Sequence, residues 1–192
     1  KSIGFEISDQ PPPGVEKPEQ GYKKGMSAIF ECAFCKTVTT RDYVAKQATT
    51  RGLGSIPTAI VVEGHRKRLY LDPSASPVPR DLPSLDTSGL EVALSQNPRD
   101  VWCRNFGLNA PKDLFTPRQL LALLTFSDLV QEARDGILRD AIAAGMADDG
   151  IGLDSSGAGA KAYGDAVGMY LGFLVDQQSN QSSTICGWNN IN

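Results

Sequence analysis

The first part of the chain carries the short apolar patterns that are typical of β-strands. Ile3, Phe5 and Ile7 alternate with small or charged residues, and "MSAIFEC" predicts a second strand. "TAIVVEGHRKRLYLD" predicts a hairpin that turns around Gly64. Between them, "TTRDYVAKQATTRG" predicts a short helix, because a Thr can cap its start and Gly52 can end it. Residues 1–72 are therefore predicted to form a β-rich module.

The pattern then becomes proline-rich and finally helical. Residues 73–112 contain six prolines, which predict a linker or an extended wrapping segment. In "LFTPRQLLALLTF", Thr116 can cap a helix, Pro117 suits its first position and Gln119 completes a capping box. The apolar residues that follow are spaced by threes and fours, as a core-facing helix requires: Leu120, Leu123, Phe126, Val130, Ala133, Ile137 and Ala141. Residues 113–192 are predicted to form a helical domain.

A second long helix is predicted to begin near Ser155 or Ser156. One face carries Tyr163, Val167, Tyr170 and Leu174, and another carries Gly164, Gly168 and Gly172. Glycine costs about 1 kcal/mol relative to Ala inside a helix, so we expect these glycines to admit the backbone of the first long helix. A cofactor contact is the less favoured alternative. The predicted fold is α+β, a small β-rich module followed by an antiparallel pair of long helices. Trp188 is expected to close this pair, or else to lie at a domain junction.

Charge is unevenly distributed along the chain. The formal net charge of -3 argues against a dedicated nucleic-acid-binding protein. Between Tyr22 and Tyr70, however, nine basic residues face three acidic ones, a local charge of +6 that leaves -9 for the remainder. This asymmetry predicts a basic face joined to an acidic helical body, and an ordinary solvated surface is the alternative. No apolar run approaches the roughly 20 residues of a membrane-spanning helix, so we expect no membrane partner and a cytoplasmic location.

Cys32 and Cys35 have the spacing of half a zinc site. Two thiolates so spaced can both reach a zinc ion, at about 2.3 Å, if a tight turn lies between them. Zinc requires four ligands, and neither Cys103, Cys186 nor His65 completes a standard spacing. Zinc knuckles often place Gly after the second Cys, where Lys36 makes the left-handed backbone costlier. Two ordinary reduced cysteines are the alternative, and a redox role lacks the thioredoxin-like context.

Motifs of a self-sufficient active site are not found in the sequence. "GAGAKAYG" follows an acidic loop and not a strand, so it fails the context test for a nucleotide-binding loop. The chain has one His and neither a Gly-x-Ser-x-Gly nor a His-Glu-x-x-His motif. Hydrolytic triads and metalloprotease chemistry therefore have no support.

Two stretches resemble a known family. "DLFTPRQLLALLTFSDLV", followed by "AYGDAVGMYLGFLVDQQSNQSSTICGWN", looks like the middle of the large prokaryotic adenine-specific DNA methylases that contain a zinc ribbon and an N-terminal domain of unknown function. "GMSAIFECAFCKTVTTRDYVAKQATTRGLGSIPTAIVVEGHRKRLYL" is similar to the second zinc knuckle of these proteins and the strands after it. The resemblance covers about residues 21–189, less well through the proline-rich segment.

The resemblance implies that this chain is an internal fragment with a zinc-ribbon-like first module. In such methylases another Cys-x-x-Cys and the S-adenosylmethionine motif lie upstream, and the Asp-Pro-Pro-Tyr catalytic motif lies downstream. The chain would then keep half a zinc site, Cys32 and Cys35, and no catalytic residue. Family knuckles commonly read Cys-Pro-x-Cys-Gly, whereas Ala33 and Lys36 stand here. S-adenosylmethionine is expected in the parent protein and not bound to this chain.

Two functions follow as expectations. The first is weak DNA positioning for the parent methyltransferase, with phosphate contacts from basic residues of the first module: Lys23, Lys24, Lys46, Arg66, Lys67 and Arg68. The second is a structural module that docks on the methyltransferase core or on a partner. A free-standing enzyme is the least favoured class. For the cysteines, a reduced pair, a disulfide and one zinc ion shared by two chains in a homodimer all remain open.

Overall fold

The structure is a computed structural model that describes residues 7–8, 23, 28–32, 34–75, 82–97 and 99–187. These residues form an α+β fold with three α-helices and two antiparallel sheets of two strands each. The chain divides into two compact units: residues 1–81 with 92–111 form unit 1, and residues 82–91 with 112–192 form unit 2. The segment predicted as a linker contributes to both units and contains short 3-10 helices in its described part.

Some predictions fall outside the described residues. These are most of the first predicted strand, the DNA-binding candidate Lys24, and Trp188. Ile7 and Ser8 are described and do not belong to a strand. None of the helices within the described ranges is long and apolar enough to cross a bilayer.

Unit 1 begins with a small hairpin that leads directly into a helix. Strand β1 (Ile29–Glu31) pairs with β2 (Val38–Thr40), and α1 (Arg41–Arg51) follows without a loop. The Thr40 hydroxyl accepts a hydrogen bond from the Tyr43 amide at 3.4 Å, and Gly52 follows the last turn with φ of 73°. The predicted cap, helix and stop are confirmed.

Helix α1 packs against a 3-10 helix, Trp102–Phe106, whose Cys103 is buried. Gly107 ends that helix with φ of 89°, and a Cβ atom there would lie 2.7 Å from the Ala45 carbonyl oxygen. Glycine is thus required both for the backbone conformation and for the close approach to α1. The ring of Phe106 also meets the ring of Phe30 edge to face, with centroids 6.4 Å apart. These contacts join β1 and α1 to one small core.

The second hairpin of unit 1 joins β3 (Ile60–Gly64) to β4 (Lys67–Leu71). The prediction of a hairpin here is confirmed, with His65 and Arg66 as the two turn residues. Apolar side chains are well exposed on both of its faces; Val61, Val62, Leu69 and Tyr70 each expose between 38% and 40% of their surface. Because these side chains are so exposed, burial of apolar surface stabilises this hairpin little. A two-stranded hairpin is only marginally stable by itself.

Unit 2 is built on two long helices. Helix α2 (Pro117–Ala143) starts with the predicted capping box: the Thr116 hydroxyl accepts from the Gln119 amide, and the Gln119 side chain accepts from the Thr116 amide at 2.8 Å. Helix α3 (Ala160–Gln181) begins later than predicted. Ser155 ends a 3-10 turn and Ser156 has a left-handed backbone. The predicted start near these serines is wrong.

Hydrogen bonds from the preceding turn explain the late start. The Ala158 amide donates to the Asp149 carboxylate at 3.1 Å, and the Ala160 amide donates to the Ala147 carbonyl at 3.0 Å. A Cβ atom on Gly159 would lie 2.7 Å from the Asp149 backbone nitrogen. The chain is therefore held against the turn at 147–149 and can enter the helix only after Gly159.

The predicted approach of the α2 backbone to the glycine face is confirmed at Gly164, whereas at Gly168 the neighbour is the Arg134 side chain. A Cβ atom on Gly164 would lie 3.2 Å from the Arg134 carbonyl oxygen, and one on Gly168 would lie 3.4 Å from the Arg134 Cβ. At Gly172 nothing lies within 4 Å, so the prediction of close approach is wrong there. Helix α2 approaches the small residues of α3. The other face of α3, which carries Tyr170 and Leu174, is largely exposed: Tyr170 is 71% exposed and Leu174 is 66% exposed.

Candidate functional site

The cysteine pair lies in the tight turn between β1 and β2. Cys32 follows the last residue of β1, and its amide donates to the Thr37 carbonyl at 2.9 Å. The Lys36 amide donates back to the Cys32 carbonyl at 3.0 Å. These two bonds close the loop that contains Cys35. The turn that a two-cysteine metal site requires is therefore present.

Lys36 adopts the backbone conformation that favours glycine. Its φ is 62°, in the left-handed region, which costs an L-residue about 1–2 kcal/mol. From the sequence, this cost counted against a zinc-knuckle turn at Cys32 and Cys35. The turn nevertheless forms with Lys36 in the left-handed conformation. The Lys36 ammonium lies 3.6 Å from the Glu31 carboxylate, an exposed ion pair that offsets little of the cost.

Hydrogen bonding favours the thiolate form of Cys35. The Cys35 Sγ lies 3.2 Å from the Thr37 hydroxyl. Thr37, through its side chain and its backbone, lowers the pKa of Cys35 below its usual value, and the Cys32 side chain adds to this. The thiolate is the form that binds metals and attacks electrophiles. Cys35 is exposed, so it is accessible for either role.

The pair supplies two ligands and the rest of the described chain does not supply more. All four cysteines are free; Cys103 is buried on its 3-10 helix and Cys186 belongs to unit 2. Across the described ranges, no three His, Cys, Asp or Glu side chains are grouped closely enough to hold a metal ion. A tetrahedral zinc site requires four ligands, so the described residues do not complete one around Cys32 and Cys35.

The candidate DNA-binding residues lie on three different elements of unit 1. Lys23 is exposed and forms an isolated bridge with Phe30, and Lys46 is exposed on α1. Arg66, Lys67 and Arg68 are adjacent at the end of the β3–β4 hairpin, where Arg68 pairs with Glu63 at 3.8 Å. Arg66 is one of the turn residues and has φ of 58°. The structure thus brings three of these cations together at one tip.

An ion pair in unit 2 gave no signal in the sequence. Arg134 of α2 places its Nε 2.6 Å from Asp165 Oδ1 of α3, at an angle outside hydrogen-bond geometry. The other carboxylate oxygen accepts from the Leu153 amide at 3.0 Å. This bond, then the Arg134 charge, lowers the pKa of Asp165. Because these groups lie 12 or more residues apart, no local pattern could have predicted the contact.

The glycine-rich stretch "GAGAKAYG" (residues 157–164) lies in the same region of unit 2. A Cβ atom on Gly157 would clash with the Ile151 carbonyl, and Gly159 is packed on the turn before it. The Asp148 carboxylate accepts from the Lys161 amide at 3.1 Å, and the Lys161 ammonium donates to the Gly150 carbonyl at 3.0 Å. Each of these groups serves the turn itself. Residues 157–159 of this stretch are therefore packed on the preceding turn, and residues 160–164 form the start of α3.

Comparisons of the chain with family models, with curated proteins and with solved structures found no match.

Proposed function

We propose that this chain is a non-catalytic internal part of an S-adenosylmethionine-dependent, adenine-specific DNA methyltransferase, and that unit 1 helps to position DNA. The observation that carries the proposal is the Cys32–Cys35 turn, closed by two backbone hydrogen bonds and completed by Lys36 in a left-handed conformation. This supports a zinc-ribbon-like module in unit 1. In unit 2, the proposal takes α2 and α3 as an antiparallel pair that supports the rest of the enzyme.

The chemistry assigned to unit 1 is electrostatic. An enzyme that methylates a base within a duplex must turn that base out of the stack while holding the backbone around it. Lysine and arginine contacts to phosphate supply affinity without reading sequence. Lys23, Lys46 and the cations of the β3–β4 hairpin tip are exposed or partly exposed and can make such contacts. The S-adenosylmethionine site and the catalytic motif are assigned to the parent enzyme outside this chain.

A zinc ion would cross-link the β1–β2 turn to a second pair of ligands. Cys32 and Cys35 would hold it on one side, with the thiolate of Cys35 favoured by Thr37. The zinc content of the purified chain should be low, and adding a peptide that carries a second Cys-x-x-Cys should raise it. Cys35→Ser should remove this gain. One zinc ion per two chains, in a dimer by sedimentation, would instead support the shared-metal alternative.

The DNA part of the proposal is tested by fluorescence anisotropy with a duplex oligonucleotide at 50 to 200 mM salt. Each phosphate contact should contribute about -0.9 to the slope of log affinity against log salt concentration. Three to five contacts predict a slope of about -2.7 to -4.5. A flat salt response, or no binding at 50 mM salt, would remove DNA positioning from the proposal.

A second candidate function is docking on the methyltransferase core, and the exposed face of α3 favours it. Tyr163, Tyr170, Phe173 and Leu174 all lie on α3, and between 49% and 71% of each residue is exposed. An apolar surface of this kind on a folded unit marks an interaction site. Gly168 cannot test it, because that residue packs on Arg134 within the unit.

Tyr170→Asp is the sharper variant for the docking candidate. Because Tyr170 is largely exposed, the change should leave the unfolding free energy within about 0.5 kcal/mol of wild type and abolish binding to the core in a pull-down. The double charge reversal Arg66→Glu and Arg68→Glu should leave that binding intact. The opposite pattern would favour the DNA role.

A further inference from the structure

The β3–β4 hairpin segregates its polarity along its length and not between its two faces. A half-buried hairpin alternates apolar and polar residues, so that one face is apolar. Here the three cross-strand pairs at the base of the hairpin consist of aliphatic residues and one tyrosine: Ile60 with Leu71, Val61 with Tyr70, and Val62 with Leu69. Beyond them, residues 64–68 read Gly-His-Arg-Lys-Arg. We call residues 64–68 the basic tip.

The backbone of the basic tip is strained at a cation. Arg66 occupies a left-handed position with φ of 58°, where glycine or asparagine would cost less. Gly64, by contrast, is required by contact: a Cβ atom there would lie 2.9 Å from the Lys67 carbonyl oxygen and 3.3 Å from the Leu69 side chain. The chain uses glycine where the tip must be narrow and arginine where the backbone would favour glycine. Backbone strain held at a specific side chain points to a function for that side chain.

The charge at the basic tip is available to a partner. Arg68 has Glu63 as an ion-pair partner, with Glu63 87% exposed. Within the described part of the chain, neither Arg66 nor Lys67 forms an ion pair. Both side chains are exposed. The hairpin therefore ends in two exposed cations that no acidic side chain in the described ranges neutralises.

We infer that the β3–β4 hairpin enters the major groove of duplex DNA with its basic tip foremost. This rests on the proposed function, and it names the element and the groove. The major groove, about 12 Å wide and about 8.5 Å deep, admits a two-stranded β-ribbon without deformation, whereas entry into the minor groove, about 6 Å wide, is commonly coupled to bending of the duplex. The paired strands lie about 4.8 Å apart, and the three steps from Val62 to the turn extend about 10 Å, enough to reach the groove floor.

In this arrangement Arg66 lies deepest, and Lys67 and Arg68 face the phosphates on the two sides of the groove. Successive residues of β4 point to opposite faces of the ribbon, so Lys67 and Arg68 address opposite walls. The apolar base stays outside the groove. Glu63, which lies across the strand pair from Arg68, is acidic and opposes binding.

The test measures duplex affinity of the whole chain by anisotropy, with Arg66→Gly as the main variant. Glycine suits the left-handed backbone, so the Tm should not fall, while the affinity should fall about tenfold and the salt slope should shrink by about 0.9. Arg139→Ala, an exposed α2 position, is the charge-matched control and should leave affinity within about twofold. Glu63→Gln should strengthen binding several-fold.

The groove is tested with modified duplexes. Bulky substituents at pyrimidine C5, which project into the major groove, should weaken binding by the wild type and have little effect on Arg66→Gly. A minor-groove ligand should not compete. If wild type binds duplex DNA but Arg66→Gly binds equally well, the hairpin inference is overturned and DNA positioning stands. If wild type does not bind at 50 mM salt, both fail together.

Discussion

The two units treat left-handed backbone positions differently. In unit 2, Gly145 and Gly150 take positive φ at the turn after α2, and Ser156 is the exception among the described residues there. In unit 1, Gly52 and Gly107 end helices, but both hairpin turns place a cation in the left-handed region, Lys36 and Arg66. In unit 2 the left-handed positions thus lie in the connection between α2 and α3. Unit 1 has non-glycine residues in this strained conformation at the turns of its two described hairpins.

The units also differ in what glycine does for packing. Unit 2 depends on backbone contact, with Gly157, Gly159 and Gly164 each facing a carbonyl or amide of a neighbouring segment. Unit 1 shows one such contact on α1, at Gly107, and one within a hairpin, at Gly64. The difference indicates that close packing stabilises unit 2, and it accords with our proposal that the β3–β4 hairpin of unit 1 contacts DNA. The following predictions test this contrast.

Gly157→Ala should cause the largest loss of stability. The added methyl group would clash with the backbone of Ile151, which cannot move without opening the turn, so we expect a loss of about 3 kcal/mol in urea unfolding. Gly172→Ala, where the methyl group meets no atom within 4 Å, is the matched control and should stabilise α3 by up to about 1 kcal/mol. Equal effects at the two positions would refute the packing argument.

Acid should weaken unit 2 through Asp165. Its pKa is lowered in the folded state by the Leu153 amide and by Arg134, so its contribution to stability is complete above the unfolded pKa of about 3.9. That contribution is lost as pH falls through the lower, folded pKa. Urea unfolding between pH 6 and pH 2.5 should therefore show a steeper loss for wild type than for Asp165→Asn. Asp149, whose pKa is also lowered by backbone amides, will leave some slope in the variant.

Lys36→Gly should stabilise unit 1 by a smaller amount. The left-handed backbone costs lysine about 1–2 kcal/mol, and glycine would remove that cost. Glycine also has more conformational freedom in the unfolded chain, which offsets about 0.5–1 kcal/mol of the gain. We expect a net gain of about 0.5–1 kcal/mol in urea unfolding. Ser156→Gly in unit 2 is the comparison. If only Lys36→Gly also loses duplex affinity, the strain in unit 1 serves binding.

Thr37→Val should have the smallest effect, on the reactivity of Cys35. Losing the hydroxyl beside Cys35 Sγ raises its pKa, so less thiolate is present at pH 7.5 and alkylation should slow by about threefold. Peptide mass mapping identifies the labelled residue. Cys103, which is buried, should stay unlabelled in both proteins until denaturant is added. An unchanged rate at Cys35 would mean that Thr37 does not tune it.

Much of the local structure could be predicted because its causes are local. The capping box at Thr116, the cap of α1 at Thr40 and the turn of the β3–β4 hairpin each depend on residues within a few positions of one another. The spacing of Cys32 and Cys35 likewise predicts two ligands on one turn. Ligands that would complete such a site have no local cause, and across the described residues no three His, Cys, Asp or Glu side chains are grouped closely enough to hold a metal ion.

What the amino-acid order determined by itself is therefore where helices and hairpins begin and which residue types stand at their tips. Tertiary structure alone decided which glycines have a neighbouring backbone close to them. Gly164 packs on Arg134, whereas a Cβ atom on Gly172, on the same helix face, would meet no described neighbour within 4 Å. It also decided the delayed start of α3 and the Arg134–Asp165 pair. The physical reason is that caps and turns are satisfied by atoms a few residues away, whereas close approach and ion pairing depend on distances between segments that are far apart in the chain.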